Sequence, residues 1–269
     1  MSFISVRRPH FMYSYNKFVP VNFAFHLHQY YEILYVAGGQ LTYIIENKEY
    51  SGSSGDIFIT RPRELHTIVF NSDEEYERHF VQFDEEFLNF LSPTLLNRIN
   101  HAAERHKILA STASEFNLYD FFHSLSDCIS KKECEFDTLA QAYISMLLVG
   151  ICKCTASSYS EPTKSLGGSD KIKQFLNTRF SSNLSLQEIA DKLFLNKYYM
   201  CHMFKAETGM TIKEYIGILR FTYACKLHFE GKPLSEISVA CGYSDYSQFY
   251  KSFIKYSGGL SPKKFFEAK

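Results

Sequence analysis

The 269-residue chain has no net charge, with 29 Lys+Arg against 29 Asp+Glu. Taken as a whole, that balance argues against a strongly nucleic-acid-binding or acidic-substrate protein. It also has no apolar stretch of membrane length. The longest apolar run, Ala142 to Cys152, is too short to cross a bilayer, and the opening MSFISVRRPHF lacks the apolar centre of a secretory signal. A cytoplasmic protein without a membrane partner is expected. A disulfide framework is missing too. Seven cysteines, an odd number at irregular spacing, fit reduced thiols, and Cys152 and Cys154 read as small apolar residues on a buried helix because no second pair stands at zinc-ribbon spacing. No Walker loop, dinucleotide fingerprint or nucleophile elbow occurs, so no catalytic residue is assigned on those grounds.

What is present is unevenly distributed. From Asp170 onward there are 15 Lys+Arg against 9 Asp+Glu, a net of +6, while the remainder holds 14 against 20, a net of −6. A basic C-terminal third on an acidic remainder points to one domain that meets a polyanion and one that does not. The length suits two domains.

Three textures follow one another. Between Val19 and Phe83 lie short β-rich runs cut by turns: FAFHLH, YEILYVAGG, LTYIIENKEY, DIFITRP, HTIVF and ERHFVQF. Such runs predict an antiparallel sandwich or small barrel over residues 1–92. After Ser92-Pro93, apolar residues recur every three or four positions: Leu95, Leu96 and Ile99, then Phe116 to Ile129, then Leu139 to Ile151. They predict amphipathic helices over 93–154 that cover the barrel or form a homodimer seam; the stripes exceed what one barrel face is expected to cover, which favours dimer contacts. The segment TASSYSEPTKSLGGS, residues 155–169, is rich in Ser, Gly and Pro and reads as a linker.

The last segment, 170–269, says one thing twice. Ser185 and Glu188 form a capping box before the stripe Leu186, Ile189, Ala190, Leu193; the turn Phe194-Leu195-Asn196 leads to a helix with Met200, Met203 and Phe204 inward that stops at Gly209. The second copy carries Ile237 and Cys241, a turn at Gly242, and Phe249 and Phe253. A long helix from Tyr215 to Phe229 joins the copies. A helix-turn-helix presents the outer face of its second helix to the major groove of DNA. In the first copy that face is Lys197, Tyr198, Cys201, His202 and Lys205; in the second it is Tyr246, Ser247, Tyr250 and Lys251, with Gln248 beside them. These side chains can bond to base edges or phosphates, and none is a strong acid. Double-stranded DNA is the expected partner.

The residues from Lys171 to Phe265 resemble the DNA-binding domain of the AraC/XylS family of bacterial transcription regulators. The resemblance rests on Phe204-Lys205-Ala206-Glu207-Thr208-Gly209, and on Gly242-Tyr243-Ser244-Asp245-Tyr246-Ser247-Gln248-Phe249 continuing to Ser261-Pro262. It implies two recognition helices on one face of the duplex about 34 Å apart; a homodimer with RNA polymerase among its partners is expected, and activation and repression both stay open. Three departures stand out: Phe194 replaces the usual turn Gly, His202 replaces a common Arg, and Gly259 is an extra residue before the Ser-Pro step.

The segment containing His26, His28, Glu32 and Gly39, then Gly55 through Pro62 to His66, resembles the two motifs of the cupin superfamily, with Arg63 where Gly is usual. The resemblance implies a cupin-like barrel that senses a ligand. Residues 26, 28 and 32 share strand parity, so all are expected to point inward. A pocket of His26, His28, Glu32, Tyr43, Arg61 and His66 with aromatic walls suits a small polar effector such as a sugar. Three imidazoles and a carboxylate also suit a transition metal; in regulatory relatives such groups often hold none, and no metal or other cofactor is assigned. Two alternatives stay open: a metal-dependent cupin enzyme fused to a DNA-binding module, and a regulator with no small-molecule ligand. The expected architecture is α+β and multidomain: a cupin-like antiparallel barrel, a helical segment, and an all-α domain with two helix-turn-helix motifs.

Overall fold

The protein is described from a computed structural model, which describes residues 2–19, 25–46, 48–70, 75–109, 117–131, 135–155 and 168–267. The chain divides into two compact units: Met1–Phe23 with His28–Pro162, and Ala24–Leu27 with Thr163–Lys269. Most of the expected linker, residues 156–167, lies outside the described residues, as does Phe116.

The first unit carries two antiparallel sheets. The larger has the order β1 (Ser2–Arg7), β2 (Phe11–Phe18), β8 (Tyr76–Phe83), β3 (Tyr31–Gly38), β6 (Ile57–Thr60) and β9 (Lys107–Ile108). The smaller has the order β5 (Lys48–Gly52), β4 (Leu41–Ile45), β7 (His66–Phe70). Side-chain alternation assigns each face. Leu34 and Val36 of β3, Phe58 of β6 and Tyr76 of β8 meet Tyr43, Ile45 and Ile68 of the small sheet in one buried cluster, the barrel interior. The alternate residues Ile33, Tyr35, Ile57, Ile59, Val81 and Phe83 point the other way, into a second and larger core shared with helices.

Those helices are α1 (Glu85–Leu91), α2 (Pro93–Ala103), α3 (Leu118–Ser130) and α4 (Phe136–Cys154). Asp84 caps α1 by accepting a hydrogen bond from Phe87 N at 2.9 Å, and Pro93 opens α2 without sacrificing a helical donor. The helical segment thus begins at Glu85 rather than after Pro93.

The residues before Val19, outside the β-rich runs of the sequence, form the β1–β2 hairpin in register Arg7↔Met12. The structure corrects two expectations. FAFHLH is not a strand among its described residues; His26 forms a single bridge, and a bend at Gln29-Tyr30 precedes β3. The sheet covers more of the helical stripes than expected: Ile99, Leu118, Phe122, Leu125, Ile144, Leu147, Leu148 and Ile151 are all buried in the core shared with the larger sheet, because the outward face of that sheet is itself apolar. Met146 and Val149 remain exposed on α4.

The second unit is α-helical: α5 (Gly168–Arg179), α6 (Leu186–Lys192), α7 (Lys197–Thr208), α8 (Ile212–Phe229), α9 (Leu234–Ala240), α10 (Tyr246–Tyr256) and α11 (Pro262–Glu267). The joining helix α8 starts three residues earlier than expected, at a capping box in which Glu214 N donates to Thr211 Oγ1 at 3.2 Å and Thr211 N to Glu214 Oε2 at 2.9 Å. Its ends serve different copies. Tyr215 meets Phe204 of α7 with ring centroids 5.4 Å apart, and Phe221 meets Phe253 of α10 at 4.9 Å. Ile212, Tyr215, Ile218, Leu219, Ala224 and Leu227 are buried on it.

Candidate functional site

In the first copy, Ser185 and Glu188 form the expected capping box of α6, with Ser185 N donating to Glu188 Oε2 at 2.8 Å. Asn196 Oδ1 then accepts from Tyr198 N at 2.9 Å and Tyr199 N at 3.3 Å, which starts α7. Met200 and Phe204 bury one face of α7, and Gly209 ends it at φ +76°. In the second copy Asp245 Oδ1 accepts from Gln248 N at 2.8 Å to start α10, whose Phe249 and Phe253 are buried.

The two turns share one hydrogen-bond pattern. Leu195 N reaches Ala190 O at 2.9 Å and Tyr243 N reaches Ser238 O at 3.2 Å, each five residues back, around a residue with positive φ. This is a Schellman ending. The positive-φ residue is Gly242 at +81° in one copy and Phe194 at +54° in the other. A Cβ on Gly242 would lie 2.0 Å from the backbone oxygen of Ser181, so that turn has room for Gly alone.

Opposite the buried stripes, each second helix shows a polar face. Tyr198, His202 and Lys205 of α7 are exposed, as are Tyr246, Ser247, Gln248, Tyr250 and Lys251 of α10. Lys197 and Cys201 are half-buried, and Lys197 Nζ lies 5.3 Å from the centre of the Tyr198 ring. Sequence reasoning missed Tyr199, which is 58% exposed beside His202; the helical offset of three from 202 was the available signal. Arg220 of α8 ties the scaffold together, donating from Nε to Phe180 O at 2.8 Å with its guanidinium 4.9 Å from the Tyr243 ring centre.

In the first unit, Glu32 is the hub of a buried polar cluster inside the barrel. Its Oε1 accepts from Tyr43 OH at 2.9 Å; its Oε2 meets His28 Nε2 at 2.7 Å and accepts from Gln82 Nε2 at 3.2 Å, with His66 Nε2 at 3.7 Å. Burial drives the Glu32 carboxyl upward, but the charge on His66 and the bonds from His28 and His66 outweigh it and hold the group well below the usual carboxylate range. Burial likewise opposes the charged form of His66, and the Glu32 carboxylate overcomes it, so this imidazole is held more basic than usual. Burial and then Glu32 push the Tyr43 hydroxyl well above its ordinary value.

Of the six residues expected to form the effector pocket, the structure brings together His28, Glu32, Tyr43 and His66. His28 joins them from the loop before β3, so strand parity is not the reason. His26 lies in the stretch grouped with the second unit. Arg61 belongs to a neighbouring cluster: its Nε donates to Glu64 Oε1 at 2.6 Å, and Glu64 also faces His106 Nε2 at 3.3 Å, whose Nδ1 is 3.0 Å from Tyr50 OH. Gln82 was missed; its pairing with Glu32 in the β3–β8 register is the reason it belongs. His28 and His66 each offer a ring nitrogen that could ligate a divalent transition metal, the two lying within 4.8 Å of one another.

An AraC-like ligand-binding domain model matches residues 8–148, and a helix-turn-helix domain model matches residues 189–268. The Msm operon regulatory protein of Streptococcus mutans is 35% identical over 97 residues, 36% of this chain and 34% of the relative, so the chain spans about a third of that relative's length. The lactose operon transcription activator of Staphylococcus xylosus is 23% identical over 82% of this chain and 78% of its own. Among solved structures, ToxT of Vibrio cholerae O395 shares the fold with a TM-score of 0.60 at 17% identity, over 96% of this chain and 98% of the other.

Proposed function

The chain belongs to the AraC family of transcription regulators, and we propose that it is a DNA-binding activator whose barrel responds to a small effector, such as a sugar, by changing how its basic unit engages DNA. The observation that carries the DNA half is the pair of helix-turn-helix copies, each with an exposed polar face opposite a buried stripe, in the basic third of the chain. His202 and Gln248 read bases; Lys205 and Lys251 hold phosphates.

The effector half rests on the barrel. The hydroxyl of Tyr76 is buried there without a hydrogen-bond partner among the described residues. A buried polar group left unused costs stability unless water or a ligand satisfies it. The Staphylococcus relative activates a lactose operon by its name, which supports a carbohydrate. A second reading is an apolar-tailed acid: a solved ToxT holds an unsaturated fatty acid, and Leu34, Val36, Phe58 and Ile68 line this barrel. Thermal stabilisation by a panel of sugars and unsaturated fatty acids separates the two. A positive hit should lose its effect in Tyr76→Phe if that hydroxyl holds the ligand. No stabilisation by either class would count against an effector in the barrel. The effector shifts DNA binding only by its differential affinity for two arrangements of the protein.

A homodimer with cytoplasmic location and contact to RNA polymerase completes the proposal. Met146 and Val149 on α4 are its dimer contacts, and Val149 also lines a cleft with Leu91, Leu95 and Arg98. Sedimentation of Val149→Glu tests this, with a monomer expected.

A further inference from the structure

Phe194 is the most exposed large apolar residue described, at 96%, in a backbone conformation that L side chains avoid. Both features oppose folding. A bare phenyl ring gains nothing from water, and the matched turn of the second copy shows that Gly meets the same geometry without strain. Almost all of the ring's surface stays open, so packing within the second unit does not account for it.

Its position does. Phe194 stands two residues before Asn196, the residue that starts α7, and it leads into Tyr198 and Tyr199, which are 78% and 58% exposed. Lys192 and Lys205 are exposed on the same copy. The N-terminal end of a recognition helix is the part that enters the major groove, so the ring continues a surface already assigned to duplex DNA. We propose that Phe194 is a DNA-contacting residue that lays its ring on the apolar C–H surface at the groove edge, a thymine methyl or a deoxyribose. Gly242 cannot do this, so the two copies grip differently, the first with an added apolar contact and the second with polar groups alone. The inference rests on the reading of α7 as a recognition helix.

The test uses the full chain and a duplex that the wild-type protein selects from a randomised library. Phe194→Gly removes ring and strain together; Phe194→Asn removes the ring but keeps a residue that tolerates positive φ; Phe194→Tyr keeps the ring. Both ring-deleting variants should bind the duplex about fivefold to tenfold more weakly, with the salt dependence unchanged because no phosphate contact is lost. Phe194→Tyr should bind like the wild type. Phe194→Gly should also raise the midpoint of the melting transition that DNA shifts by about 4 °C. Replacing thymines by uracils then separates the two sources: a methyl contact predicts the same loss for the wild type and none further for Phe194→Gly, whereas a sugar contact predicts no effect. Unchanged affinity in Phe194→Gly and Phe194→Asn overturns the inference and leaves the DNA reading intact. Unchanged affinity with lost activation in reconstituted transcription also overturns it, and assigns the ring to a protein partner. If the wild type selects no duplex, the reading of α7 fails and this contact fails with it.

Discussion

The two compact units put their polar side chains to opposite use. In the barrel, buried Tyr43 and Gln82 are hydrogen-bonded to buried Glu32, and buried His66 is ion-paired with it at 3.7 Å; in the helical unit, His202, Lys205, Gln248 and Lys251 project from helices whose other face is core. Buried polar groups fix a shape, because each must find its partner away from water. Exposed ones keep their bonding capacity for something that arrives. Substitutions should therefore change stability in the first unit and affinity in the second.

The largest effect is expected at the barrel hub. Glu32→Ala leaves Tyr43, Gln82 and His28 without their acceptor and His66 without its counter-charge, and breaking such a buried pair costs about 3–5 kcal/mol. Denaturant unfolding of the first unit reads this; a loss below about 1 kcal/mol would mean that the cluster is not the closed network described.

Acid should act nearly as strongly. His79 is buried beside Tyr13, whose hydroxyl lies 2.8 Å from His79 Nδ1, and burial, followed by the charge of His123, lowers its pKa from 6.5 to about 4. A depressed folded pKa gives stability that is present above 6.5 and lost as pH falls toward 4, about 3 kcal/mol in all. The Glu32 carboxyl, also held low, adds loss of the same sign below its unfolded value of 4.5. His66, held high, contributes fully below 6.5 and loses its contribution as pH rises through its raised value. Unfolding midpoints across this range should show His79→Phe flattening the acid limb; an unaltered limb would remove His79 from the account.

In the helical unit the same measurement should show almost nothing. His202→Ala and Gln248→Ala should each relax base preference in one segment of a bound duplex, by about 1–3 kcal/mol of discrimination, while the unfolding midpoint stays put. Smaller still, Lys205→Ala and Lys251→Ala should weaken every sequence alike and each lower the salt slope by about 1. Equal losses on all sequences for all four would erase the division between base and phosphate contacts.

The contrast between the units also explains how much could be read before the structure. In the helical unit the signals are local: the Ser185–Glu188 box, the Asn196 and Asp245 caps and the Gly209 stop each act within a few residues. In the barrel they are not. Gln82 joins Glu32 only through a strand register spanning 50 residues. Strand parity is not what places His28, because a bend at Gln29-Tyr30 intervenes before β3 begins. The helical stripes suggested a partner because the sheet's apolar outer face, Ile33, Tyr35, Val81 and Phe83, is recognisable only once the strands are paired. Phe194 was visible as a departure from glycine, and its positive φ followed; its near-complete exposure did not.

The central claim is that α7 and α10 enter the major groove of one duplex together. Hydroxyl-radical footprinting of the full-length protein on a duplex it selects tests this most directly. Two protected segments about one helical turn apart are predicted, with His202→Ala altering one and Gln248→Ala the other. A single protected segment that both substitutions affect, or no protection at any salt concentration, would contradict it.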